Sequence, residues 1–326
     1  MESPSIYAVV ITFNRRRLLQ ENLCALQNQT YPLTGIVVID NGSTDGTPEL
    51  FSPCPSNIIY IRHQENDRPA LCFCEGIRSA FSRGADWMWI MDDDVIPDRN
   101  SLKTLVESTP FSFPQTGCLS PSEYNSAGSR VSRFHKQSAL TSINCREYSE
   151  KEELQGYVKI LVFCWTGCLL NRKVIEAIGL PRNEVMVWHQ DADYSWQVSR
   201  HFEIFGIPAS KIFHKSAIPQ VQQTLNLGVV RIPILNKKRL EMSFYSQRDR
   251  THCILRSTLP FAIRWGLCLK FFLQILLGIV FFQNEKLARL RLHFAATWFG
   301  IRGVLGRSGF AWQIQQRVLQ KDTNPN

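Results

Sequence analysis

The stretch from Asp86 to Asp98, Asp-Trp-Met-Trp-Ile-Met-Asp-Asp-Asp-Val-Ile-Pro-Asp, restricts the fold of this chain most. An apolar run, Trp87 to Met91, breaks into three consecutive carboxylates, and Pro97 then turns the chain. A short continuous apolar run is expected of a strand buried on both faces, as in a parallel sheet covered by helices. Ligands of open α/β sheets gather at the carboxyl ends of strands, which is where this acidic cluster falls. Alternation along an extended strand directs Asp92 and Asp94 to one face and Asp93 to the other. Three adjacent carboxylates repel one another unless a cation sits among them. Hard divalent ions such as Mg²⁺ and Mn²⁺ take oxygen ligands and complete their shells with substrate phosphates. A solvated acidic turn after an edge strand would account for the same residues.

The flanking sequence alternates strand and helix. Tyr7 to Asn14 is a β-branched apolar run expected to form a buried first strand. Leu18, Leu19, Leu23 and Leu26 give Arg15 to Gln29 a helical spacing. Ile36 to Ile39 reads as a second strand and Ile58 to Ile61 as a third. Between them lies Asp40-Asn41-Gly42-Ser43-Thr44-Asp45-Gly46-Thr47, rich in turn formers. The order predicts a nucleotide-binding type of half-sheet. Ser101 to Glu107 reads as a helix, and the polar, Ser-rich residues 120–155 read as a long loop over the site.

Val-Val-Ile-Thr-Phe-Asn-Arg, then Val-Ile-Asp-Asn-Gly-Ser-Thr-Asp-Gly-Thr, then the acidic cluster resemble the inverting family-2 glycosyltransferases of the GT-A fold. The similarity runs from about Ile6 to His214, with a weaker extension to Gly309. It implies an α/β fold with a mostly parallel sheet and a nucleotide-sugar site. Thr12 and Asn14 would line the base pocket, and Asp40 would accept from the base or ribose. Asp92 and Asp93 belong to the same nucleotide-sugar site by this resemblance, Asp92 as a metal ligand or as a ribose contact. Glu65 to Ile77 resembles a glycine-rich stretch of galactofuranosyl- and rhamnosyltransferases. Asn66, Phe73 and Gly76 are kept, but the glycines at 68–72 are not. Arg68 is then either a direct charge on a phosphate or a surface residue. Trp165, in the apolar run Phe163 to Leu170, either stacks on a sugar or packs in the core.

A second constellation, Val187-Trp-His-Gln-Asp-Ala-Asp-Tyr-Ser-Trp-Gln197, continues at helical spacing through Val198 and Phe202. Asp191 and Asp193 thus fall in the first turn of a helix, where the helix dipole favours ionised carboxylates. The resemblance to the family's Trp-x-x-Asp-x-Asp-Tyr segment implies Asp191 as general base and Asp193 as its support. It also implies a metal-binding histidine at His214, sharing Mn²⁺ or Mg²⁺ with Asp94 and Asp92.

Composition bears on the remainder. The chain carries a net charge of +9, and from Arg231 to Lys321 sixteen Lys and Arg stand against Glu241, Asp249 and Glu285 alone. The basic residues flank apolar helix instead of interleaving with aromatics, which points to a membrane surface and away from nucleic acid. Leu259 to Phe282 is apolar but interrupted by Pro260, Arg264, Lys270 and Gln274; Phe271 to Phe282 alone is too short to cross a bilayer of about 30 Å, and including Arg264 and Lys270 makes a span possible but poor. A helix lying in the interface is expected, with burial against the catalytic domain as the alternative. The ten cysteines match no zinc-ligand spacing and are expected to be free thiols. No leader-like segment precedes the first strand, so the catalytic part is expected in the cytoplasm, attached peripherally to the inner membrane face.

The expected organisation is a GT-A catalytic domain over 1–225 and a basic, helical, membrane-associating region over 226–326. The expected reaction moves galactofuranose, rhamnose or a similar hexose from a UDP- or dTDP-linked donor to a glycan or lipid-linked glycan, as in bacterial surface polysaccharides such as O-antigen. A nucleotidyl- or phosphotransferase using the same acidic strand end is the alternative.

Overall fold

The computed structural model describes residues 3–131, 134–138, 142–146, 148–185, 189–215, 223–227, 230–234 and 240–323. Val187 and Trp188 of the second constellation lie outside them. The chain forms two compact units, Met1–Asn183 with Tyr194–Ala217, and Glu184–Asp193 with Ile218–Asn326.

The first unit is built on one mixed sheet. It opens with β1 (Ile6–Thr12), α1 (Arg16–Gln27), β2 (Gly35–Asp40), β3 (Ile58–Arg62), α2 (Pro69–Ser82) and β4 (Trp87–Asp92). There follow β5 (Val95–Pro97), α3 (Ser101–Val106), β6 (Thr116–Asn125), β7 (Arg130–Val131) and a hairpin of β8 (Phe134–Ser138) and β9 (Ser142–Arg146). The unit is completed by α4 (Glu150–Gln155), β10 (Val158–Ile160), β11 (Thr166–Asn171), α5 (Arg172–Ile178), most of α6 (Gln190–Val198) and β12 (Glu203–His214). Strand order is β10-β12-β6-β11-β4-β1-β2-β3, with β5 against β12 and β7 against β6.

The apolar runs become central strands because helices cover both of their faces. Val9 and Ile11 of β1 join a core with Phe73 and Ile77 of α2. Ile6, Ala8 and Val10 join another with Leu19, Leu23 and Leu26 of α1. Strand alternation thus divides one apolar segment between two cores. Gly76 lets α2 lie close to the sheet, since a Cβ there would come within 2.4 Å of Val9 Cγ1. Strands β2, β1 and β4 are mutually parallel. Strands β2 and β3 are added on one side of β1 and β4 on the other, so the carboxyl ends of β1 and β4 form a topological switch point.

One expectation, the long loop over 120–155, is corrected here. Residues 120–125 are not loop: they complete β6, which pairs with both β11 and β12. Small serines suit a strand covered on both sides, and Ser122 satisfies its hydroxyl on Pro208 O at 3.0 Å. The far end of the same stretch is α4, held by a capping box between Ser149 and Glu152. Cys24, Cys54, Cys72, Cys74, Cys118, Cys164, Cys168, Cys253 and Cys268 form no disulfide.

The second unit comprises the start of α6, the hairpin β13 (Gln223–Leu227) and β14 (Val230–Ile234), and α7 (Leu240–Arg256), α8 (Phe261–Phe282), α9 (Lys286–Arg302) and α10 (Gly309–Thr323). Leu240, Phe244, Tyr245, Leu292, Ala296 and Ala311 form its core. Gly300 admits α7, because a Cβ would meet Arg248 O at 2.6 Å. Helix α8 has 22 residues, about 33 Å at 1.5 Å per residue. With Arg264 and Lys270 included it is therefore long enough to cross a membrane. Arg264, in the first turn of this helix, folds its guanidinium back onto Leu255 O at 2.6 Å.

Candidate active site

The switch point gathers the acidic cluster. Strand β4 ends at Asp92, and the chain turns through Asp93 and Asp94 before β5. Because the strand has ended, the expected division of Asp93 from Asp94 does not occur. Nη1 of Arg15 lies 3.1 Å from Asp93 Oδ1 and 2.6 Å from Asp94 Oδ2. Thr12 Oγ1 donates to Asp93 Oδ2 at 2.6 Å. Burial, reinforced by the charges of Asp94 and Asp93, pushes the Asp92 carboxyl up to about 8. Burial also raises Asp93, to about 6, with the Thr12 bond and Arg15 opposing it. Asp94 is buried as well, but His214 and Arg15 outweigh that effect and hold it below the usual carboxylate range.

His214 reaches the cluster through strand pairing. It ends β12 and lies opposite Val95 of β5 and Asn125 of β6. Its Nε2 is 3.2 Å from Asp94 Oδ1, and its Nδ1 is 2.9 Å from Glu123 Oε1. Burial opposes charge on this ring, yet its bonds to Asp94 and Glu123 push it up to about 9. Arg15 and Glu123 were not singled out in the sequence. Arg15 follows the motif residue Asn14 directly, which was a signal; Glu123 lay in a stretch read as loop, which hid it.

Asp40 is fully buried at the end of β2. Oδ1 accepts from Ser43 N at 2.8 Å, and Oδ2 accepts from the Tyr60 hydroxyl. Both oxygens are thus engaged within the protein, and Asp40 shapes the 41–47 loop. Asn14 takes a positive φ of 51°, accepts from Thr44 N through Oδ1 at 2.7 Å and donates its own N–H to Ser43 Oγ at 2.9 Å. Asn41 binds Asn66 and Asp67, joining this loop to the next. Arg68 stands before α2 and pairs with Asp67 at 3.3 Å. Trp165 is a core residue: its ring lies against Phe73, Phe163 and Tyr194, and only 6% of it is exposed.

Asp191 and Asp193 occupy the first turn of α6, where helical spacing put them. Asp193 is buried, and its N–H donates to His189 O at 2.8 Å. Asp191 Oδ1 accepts from Ala192 N at 2.8 Å.

The model of the family described as "Glycosyl transferase family 2" matches residues 7–179, more than half of the sequence. The chain belongs to glycosyl transferase family 2. The matched part of this family-2 chain contains Thr12, Asn14, Asp40, Arg68, the Asp92–Asp94 turn and Trp165, and ends before Asp191 and His214. It is 35% identical over 210 residues to the galactofuranosyltransferase GlfT1 of Mycolicibacterium smegmatis, an alignment covering 62% of this chain and 67% of that protein. Among solved structures it is similar to Staphylococcus aureus TarS 1–349, with a TM-score of 0.59 at 14% identity, over 91% of this chain and 81% of that one. It is also similar to the Pyrobaculum calidifontis mannosyltransferase PcManGT in complex with GDP-Man and Mn²⁺, with a TM-score of 0.53 at 15% identity, over 99% and 82%. The fold is that of the GT-A glycosyltransferases.

Proposed function

We propose that this glycosyltransferase moves a hexose, of the galactofuranose or rhamnose type, from a UDP- or dTDP-linked donor to a hydroxyl of a glycan or lipid-linked glycan, with inversion at the anomeric carbon. The observation carrying this reading is the acidic turn of Asp92, Asp93 and Asp94 at the switch point, faced by His214. Relatives at 35% identity are galactofuranosyltransferases, which supports the sugar class.

The donor set fits a hard divalent ion. Asp94 offers an oxygen and His214 a nitrogen 3.2 Å apart, and His214 carries its carboxylate partner on the other ring edge. Among the described residues no three such side chains form a ready cage. Asp94, His214 and, from the same turn, Asp92 would hold Mn²⁺ or Mg²⁺. The chemistry supplied when an ion is held there would be positive charge against the departing diphosphate.

Arg15 adds a fixed positive charge beside the same turn. Thr12 and Asp40 hold the two strand ends, and Asn14 and Asn41 hold the loops that would face the nucleotide. Asp191 accepts the proton of the acceptor hydroxyl as oxygen bonds to the anomeric carbon and the bond to diphosphate breaks. Such a base contributes about 10²–10⁴-fold. Asp193 supports the helix start.

The second unit would attach the enzyme to the inner face of the cell membrane. In α8, Ile275, Gly278 and Ile279 are buried while Phe261 and Phe281 are 69% and 67% exposed. Exposed apolar residues continue through Leu287, Phe294, Trp298 and Trp312. One-sided exposure with Arg264 and Lys270 in the same helix favours lying in the interface over crossing it.

The test is to incubate the protein with UDP- and dTDP-linked sugars, Mn²⁺ and a lipid-linked glycan, and to identify the products. Nucleoside diphosphate and a glycoside of inverted configuration are expected. Release of pyrophosphate or phosphate instead would assign a nucleotidyl- or phosphotransferase.

A further inference from the structure

Glu123 lies on β6, and the parallel register with β12 sets it beside Ile212, two residues before His214. It is 3% exposed. Its Oε1 is 2.9 Å from His214 Nδ1, and its Oε2 is 3.5 Å from the Thr166 hydroxyl on β11. The opposite edge of the imidazole faces Asp94, 3.2 Å away. The ring is therefore gripped at both nitrogens by carboxylates, one from β6 and one from the turn after β4, and rotation would break both contacts.

We propose that Glu123 is a positioning residue that fixes the tautomer and orientation of His214, so that Nε2 is the nitrogen offered beside Asp94 to a divalent cation. This rests on the reading of Asp94 and His214 as cation ligands. A neutral imidazole ligates through one nitrogen and carries its proton on the other. A carboxylate accepting that proton's hydrogen bond selects the tautomer, aims the ring and makes the ligating nitrogen more basic. Glu123 meets the geometric requirement at Nδ1, and its burial keeps water from competing for the bond. Without it, either nitrogen can carry the proton, and part of the population presents an N–H to the cation.

Full-length protein titrated with Mn²⁺ alone, following the free-ion paramagnetic resonance signal, tests this. Wild type is compared with Glu123→Gln, Glu123→Asp, His214→Ala and the Glu123→Gln/His214→Ala double variant, each checked by thermal melting. Gln keeps the shape but loses the charge; Asp keeps the charge but withdraws it by one methylene. Each single Glu123 variant should bind Mn²⁺ about 10–100-fold more weakly, the usual effect of losing such a partner. On the His214→Ala background, Glu123→Gln should change the affinity less than about twofold, because a positioning residue acts only through its histidine. Wild-type affinity in both Glu123 variants, or equal weakening with and without His214, overturns the proposal while leaving the cation site intact. Absence of Mn²⁺ binding in wild type, or unchanged binding in His214→Ala, overturns the cation reading itself.

Discussion

Nη1 of Arg15 lies 2.6 Å from Oδ2 of Asp94, so the residue preceding α1 supplies a positive charge to the turn that follows β4. Removing a cation disfavours the ionised form of its carboxylate neighbours and raises their pKa. In Arg15→Gln, the acid limb of the pH profile of kcat/KM should therefore move to higher pH. The measurement is that profile for both proteins from pH 5 to 9, and an unmoved limb would show that Arg15 does not govern these carboxylates.

Donor binding should require a divalent cation through Asp94 and His214. Calorimetric titration with UDP or dTDP, with and without Mn²⁺, should differ by tenfold or more. Asp94→Asn should abolish that difference while melting normally, since the amide preserves side-chain volume. Equal affinity in both conditions for the unaltered protein would remove the metal assignment.

Asp191→Asn should leave donor affinity nearly unchanged and lower turnover by about 10²–10⁴-fold, the usual contribution of a general base. Asp193→Asn should cost less turnover, because its proposed role is to hold the helix start. A nearly active Asp191→Asn beside an inactive Asp193→Asn would transfer the base by two residues.

The second unit should partition onto anionic vesicles through its exposed helix face. Leu269 and Leu273 are both exposed on α8, and burying a leucine is worth about 1.5–3 kcal/mol. Leu269→Gln with Leu273→Gln should weaken partitioning by more than tenfold in a sedimentation assay. Salt should weaken it only in part, because apolar burial is not screened as charge is. Unchanged partitioning in the double variant would exclude this face.

Acid should destabilise the packing around His293. This ring is stacked on Phe272 at 4.5 Å and bonded to Gln247 at 2.7 Å. Burial pushes its pKa down to about 4. A histidine whose folded pKa is depressed contributes full stability above its unfolded pKa of about 6.5 and loses it as pH falls toward 4. The loss reaches about 3 kcal/mol at about 1.4 kcal/mol per unit. Thermal melts at pH 7.5 and 5 should show a smaller difference in His293→Gln than in the parent protein.

The β4-β1-β2-β3 half of the sheet was legible because its strands are continuous apolar runs that end in polar motifs. Val9, Val37 and Ile90 announce their strands without help from neighbours. Strand β6 was not legible, since Ser120, Pro121 and Ser122 resemble loop residues and become strand only through pairing with β12. Glu123 was lost with that strand. His214 could be singled out by its position in the motif order, but its contact with Asp94 depends on β5 pairing with β12, which no local pattern encodes. Helix α8 looked too short because Arg264 and Lys270 interrupt its apolar character, while its backbone continues through both.

Strand β5 carries one more consequence. Its three residues pair with the last three of β12, and Lys215 N donates to Asp94 O at 2.9 Å just beyond. Two side chains remote along the chain are thus fastened to one short ribbon. Insertions or deletions in the outer turn at Asn125–Ser129 would change the length of the intervening chain without shifting either side chain. Variation in that turn between natural versions of this enzyme should accordingly be generous, whereas the spacing from Asp94 to Pro97 and from Ile212 to His214 should tolerate no change in residue number.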